Sequence, residues 1–66
     1  MKIKTEKYGV ISAPKKTLEL LETILMHAEN AYYNDNDSET NTAVRDYNWR
    51  MFETCTELWE SIDEAL

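Results

Sequence analysis

Few side chains in this sequence are equipped for chemistry. His27 is the only histidine and Cys55 the only cysteine. A thiol nucleophile needs a base within hydrogen-bond reach and a third group to orient that base. His27 falls at the edge of a helical apolar pattern, beside Thr23 and Asn30. Cys55 falls at the middle of another, where a free cysteine behaves as a small hydrophobe. The pair therefore reads as packing rather than catalysis. Gly9 is the only glycine, which is too few for a loop that cradles phosphate. Asp35, Asp37, Glu39 and Asp46 follow the first, third, fifth and twelfth positions of a calcium loop. However, Thr40 stands where that loop turns on glycine, and Asp46 where it needs a bidentate glutamate. No cofactor and no metal are expected, and the chain reads as non-enzymatic.

What remains are groups suited to recognition. Asp46, Glu53, Glu57, Glu60 and Glu64 recur on one side of a helical pattern. Carboxylates on successive turns lie about 5–6 Å apart, close to phosphate spacing, so the row could imitate DNA in a basic groove. A solvated helix face gives the same pattern. Trp49 points away from the apolar arc of its helix, and Met26 and Tyr33 do the same on theirs. Off-face aromatics are costly to expose and typical of protein-binding hot spots. Cover by the N-terminal residues Tyr8, Val10 and Ile11 would be the structural explanation.

Composition narrows the partner class. The net charge of −6 over 66 residues argues against direct binding of nucleic acid or of an anionic membrane, both of which need a basic face. It permits a basic protein surface. The charge is segregated: residues 1–16 hold five lysines against Glu6, whereas residues 17–44 hold six acids and no base. A basic arm thus leads into an acidic body, where it can dock. A lone cysteine suits a reducing compartment. No apolar run follows Lys2, Lys4 and Lys7, so a cytoplasmic location is expected.

The elements that must position these groups are a short arm and two helices. Residues 1–11 read as an extended arm or short strand, with Ile3, Thr5, Tyr8, Val10 and Ile11 as strand formers and Gly9 as a bend. Ser12 can cap a helix that begins at Pro14 and runs to about Tyr33. Leu18, Leu21, Leu25, Ala28 and Tyr32 form its stripe, widened by Leu20, Ile24 and Ala31. Residues 34–38, Asn-Asp-Asn-Asp-Ser, read as a turn, with Asp37 or Ser38 capping a second, longer helix over 39–65. Its apolar set is Val44, Tyr47, Met51, Phe52, Cys55, Leu58, Trp59, Ile62, Ala65 and Leu66, which spans roughly 140° at about 100° per residue.

The fold class expected is all-α: an antiparallel two-helix hairpin with an extended N-terminal arm, in one domain. Both stripes are wider than a two-helix seam needs. A chain of this length buries only about 60% of its unfolded surface, and small folds usually need a staple. With a disulfide within the chain excluded and no metal expected, self-association is the remaining staple: two hairpins forming a four-helix bundle. The candidate dimer interface is Leu20, Ile24, Asn48, Met51, Phe52, Cys55, Trp59 and Ile62, with Asn48 as a polar residue able to fix register. The candidate partner surface is Trp49, Tyr33, Met26 and the acidic row. The expected function is that of a small regulatory or inhibitory protein that binds another protein, of the kind phages encode. A DNA-mimic inhibitor and a structural scaffold subunit are the alternatives.

Overall fold

The computed structural model describes all 66 residues. They form strands β1 (Lys2–Lys4) and β2 (Val10–Ser12), then helices α1 (Lys15–Ser38) and α2 (Thr42–Ala65). The two helices pack against each other as a hairpin, and the strands form a small antiparallel sheet laid on its far end.

The N-terminal arm closes on itself. Lys2, Ile3 and Lys4 pair with Ser12, Ile11 and Val10 respectively. Thr5 locks the connecting loop. Its backbone N–H and its hydroxyl both donate to the Gly9 carbonyl, at 2.9 and 2.8 Å, and its Oγ1 accepts from the Tyr8 N–H at 2.9 Å. Gly9 sits at φ +81°, a left-handed conformation that glycine adopts without steric cost. An isolated strand would be unstable; here the second strand is found eight residues on, within the arm itself.

Alternation on β1 points Ile3 inward. It joins Leu18 of α1 and Ile62 of α2 in the only fully enclosed apolar cluster, where the three are 3%, 0% and 0% exposed. Ile11, Ala13, Leu21 and Leu25 pack around it. The arm also crosses to α2 through polar contacts. The Lys7 N–H donates to Glu57 Oε1 at 3.1 Å, and the Tyr8 and Thr54 hydroxyls share a hydrogen bond of 3.0 Å.

Four details of the sequence reading are corrected. First, Ser12 does not cap α1, because it is held in β2 opposite Lys2; Pro14 occupies the cap position without a side-chain bond. Second, residues 34–38 are the last turns of α1 rather than a turn. Tyr32 and Tyr33 pack on Tyr47 and Phe52 of α2, and this tertiary contact carries the helix past the local preference of Asn and Asp for turns. Third, the connection is Glu39–Asn41, and the cap of α2 is Asn41 instead of Asp37 or Ser38. Its Oδ1 accepts from Ala43 and Val44 at 3.0 and 3.2 Å, while the Glu39 carboxylate accepts from the Thr40 and Asn41 N–H groups. Fourth, both helices are 24 residues long, so α2 has no overhang, and the β-hairpin covers its C-terminal half.

The result is a flat rod of 41 × 20 × 14 Å, a single layer of helices. Its accessible surface is 4845 Å², against about 4400 Å² for a typical monomer of this mass. Only six residues are buried, while eleven large apolar side chains are exposed. No helix is long and apolar enough to cross a membrane.

Candidate partner-binding surfaces

The seam between α1 and α2 decides which predicted residues are free to meet anything else. Asn48, Cys55 and Ile62 line it and are buried within the chain. Burial pushes the Cys55 thiol above its ordinary range, and the Glu29 carboxylate adds to the shift. His27 is exposed on α1 while Cys55 is buried, and no hydrogen bond joins them. No three His, Cys, Asp or Glu side chains are grouped closely enough to hold a metal ion.

Sequence reasoning missed Glu29. This half-buried carboxylate of α1 reaches across the seam. It accepts hydrogen bonds from the Trp59 Nε1–H at 2.6 Å and from the Thr56 hydroxyl. Trp59, a candidate for a dimer contact, is thereby tied to its own chain. The available signal was weak: Glu29 follows Ala28 near the inner stripe, but its partners lie about thirty positions away. A pair of carboxylates, Glu22 and Asp63, lies closer to the β-hairpin. Burial raises the Glu22 carboxyl above the usual range, and the neighbouring Asp63 raises it further. Glu22 Oε2 is enclosed without a hydrogen-bond partner.

Near the interhelical turn, aromatic rings gather at the surface. Trp49 stacks on Phe52, with centroids 5.2 Å apart and planes inclined by 21°. Tyr33 leans on the other side of the group, 5.7 Å from Phe52. Tyr33 and Trp49 remain 56% and 48% exposed. Trp49 also borders an open depression with Asn36, Thr42, Ala43, Arg45 and Asp46, where Asn36 Oδ1 has no partner. Met26 lies two turns nearer the α1 N-terminus, in a shallow dip with Thr23, His27 and Asn30. The arm does not cover Trp49, Tyr33 or Met26.

The acidic row is partly used within the chain. Asp46 pairs with Arg50 at 3.1 Å, and Glu57 holds the Lys7 backbone. Glu53, Glu60 and Glu64 make no hydrogen bond or ion pair. Lys4 and Glu6 share a surface dip with Glu57, Glu60 and Glu64, so the basic arm faces the acidic helix as the charge segregation implies.

On α1, Leu20 and Ile24 are 62% and 54% exposed. They do not widen the seam stripe; they stand outside it. At about 100° per residue they and Ala31 turn to one side of Leu18 and Leu25, while Met26 and Tyr33 turn to the other. The chain therefore has two separate apolar surfaces. Met51 and Phe52 are half-buried between seam and solvent.

Comparison with family models, with curated proteins and with solved structures finds no match to this chain.

Proposed function

We propose that this is a small acidic regulatory or inhibitory protein that acts by binding another protein, as a homodimer of helical hairpins. One observation carries the reading: eleven large apolar side chains remain exposed on a chain with a three-residue apolar core. Exposed apolar residues that adjoin one another, as Trp49 and Tyr33 do through Phe52, suit a contact surface. The Trp49–Phe52–Tyr33 group has the composition of a hot spot, an aromatic anchor bordered by polar residues.

The test is retention of a cognate protein on the immobilised chain, compared with a Trp49→Ala, Tyr33→Ala variant. Loss of the retained protein, with helical circular dichroism unchanged, supports the reading. Equal retention by both chains contradicts it. The unpaired carboxylates Glu53, Glu60 and Glu64 provide the rival, DNA-mimic surface. Reversing those three to lysine abolishes binding only if the acidic row is the contact.

A further inference from the structure

We infer that the Trp49 group and the acidic row of α2 form one contact strip, which takes a basic segment of a partner protein with an apolar anchor at one end. This rests on the protein-binding reading above and deepens it by naming the partner's chemistry. Trp49, Glu53, Thr56, Glu60 and Glu64 recur every three or four residues. At about 100° per residue they fall within about 80° of one another, on one side of α2. Phe52 joins the two parts. It stacks on Trp49, and it also borders a shallow dip with Glu53, Thr56, Glu57 and Glu60. From Trp49 to Glu64 the strip runs about 22 Å along the helix, at about 1.5 Å per residue.

Charge selects the occupant. At the Trp49 end it is balanced: Arg50 pairs with Asp46, and Arg45, held by the Glu39 carbonyl at 2.8 Å, shares a depression with Asp37. Beyond that end Glu53, Glu57, Glu60 and Glu64, with Glu6 of the loop between the strands, have only Lys4 and Lys7 beside them. Neither lysine pairs with a carboxylate, since Arg50–Asp46 is the one salt bridge of the chain. The adjoining side of α1 adds carboxylates rather than cations: Glu29 is bound to Trp59 and Thr56, and Glu22 is set against Asp63. Lys15, at the start of α1, is offset one turn later by Glu19.

The strip is thus aromatic and neutral at one end and acidic over the rest. An acidic partner is repelled along most of its length, and a wholly apolar one strips water from the carboxylates without supplying a counter-charge. Its complement seats an apolar side chain against Trp49 and Tyr33 and lays lysine or arginine over Glu53, Glu60 and Glu64. Arginine suits both parts, because a guanidinium pairs with carboxylates and stacks on aromatic faces. A purely electrostatic mimic of DNA would make no use of Trp49.

Fluorescence anisotropy of a labelled peptide, titrated with the full chain, tests this. The probe is an alanine-based helix of about 15 residues, long enough to span the strip, with a leucine pair at one end and arginine on the turns beyond. It should bind saturably, and an analogue with glutamate in place of arginine should not. Trp49→Ala should weaken binding at least about tenfold, and so should Glu53→Lys with Glu60→Lys. Replacing the leucine pair of the probe by alanine should weaken it as much as Trp49→Ala does. The substituted positions are exposed, and helical circular dichroism identifies each variant as folded. Absence of saturable binding, or an affinity indifferent to the Glu53 and Glu60 changes, overturns the basic partner. Equal affinity for the probe without leucine overturns the single strip. The wider reading fails separately. A cognate protein lost with Trp49→Ala, Tyr33→Ala but kept by the Glu53 and Glu60 variant leaves protein binding intact and overturns the basic segment. A cognate protein kept by both variants overturns both.

Discussion

The two ends of the helical hairpin solve the same problem differently. At the far end from the interhelical turn, the β-hairpin drops Ile3 onto Leu18 and Ile62, and all three leave solvent. Near the turn, Tyr33, Tyr47 and Trp49 meet their neighbours ring to ring and remain about half exposed. The arm is long enough to close one end only. Where it lies, the apolar stripe becomes a core; where it is missing, the same kind of stripe becomes a surface. The enclosed apolar cluster lies at the closed end, and the exposed rings lie at the open one.

That division can be broken by substitution, and the largest effect belongs to the closed end. Leu18→Ala removes a wholly buried side chain from a core of three. It should cost about 2–5 kcal/mol, read as a shift of the urea midpoint, and in so small a domain this approaches the whole stability. Glu29→Ala strands the Trp59 indole N–H at the seam, while the Thr56 hydroxyl keeps the Phe52 carbonyl as acceptor, at a cost of about 1–3 kcal/mol by the same measurement. Asn41→Ala deletes the cap that serves Ala43 and Val44 and should cost about 1 kcal/mol. Trp49→Ala, at the open end, should change stability by less than about 1 kcal/mol, the value of one stacked pair. If Trp49→Ala proved as damaging as Leu18→Ala, the contrast between the ends would fail.

Glu22 offers a sharper, pH-dependent test at the closed end. Its carboxyl is raised above the ordinary range by burial and by Asp63. The protonated form is therefore favoured by folding. Its contribution is present below the unfolded glutamate value, about 4.3, and is lost as pH rises through the higher folded value. Glu22→Gln should then raise the melting temperature at neutral pH. The gain over wild type should vanish by about pH 4, as followed by circular dichroism melts at both values.

The division between the ends also explains what could be read from the sequence. Two amphipathic helices, the arm and the polar connection follow from period and composition. The end of α1 was misplaced because Asn34 to Ser38 are locally turn formers, and only the packing of Tyr32 and Tyr33 on α2 overrides them. The second strand escaped because three residues carry little period, although Gly9 marked the bend. Trp49, Tyr33 and Met26 were legible as off-face residues. Their grouping was not, since Phe52 belongs to the seam pattern and yet supplies the ring that joins Trp49 to Tyr33. Leu20 and Ile24 sit one stripe-width from Leu21 and Leu25, and a helical wheel alone merges the two sets. Glu29 was hidden for the opposite reason: a charged residue between stripes looks solvated until the facing helix is in place.

The proposed homodimer requires a second chain to cover apolar surface that a single chain leaves open. Light scattering during size-exclusion chromatography, over a wide concentration range, measures this directly. It should give a mass twice the 7.8 kDa of the chain, falling toward the single-chain value on dilution. A constant 7.8 kDa at the highest concentration reached would contradict it.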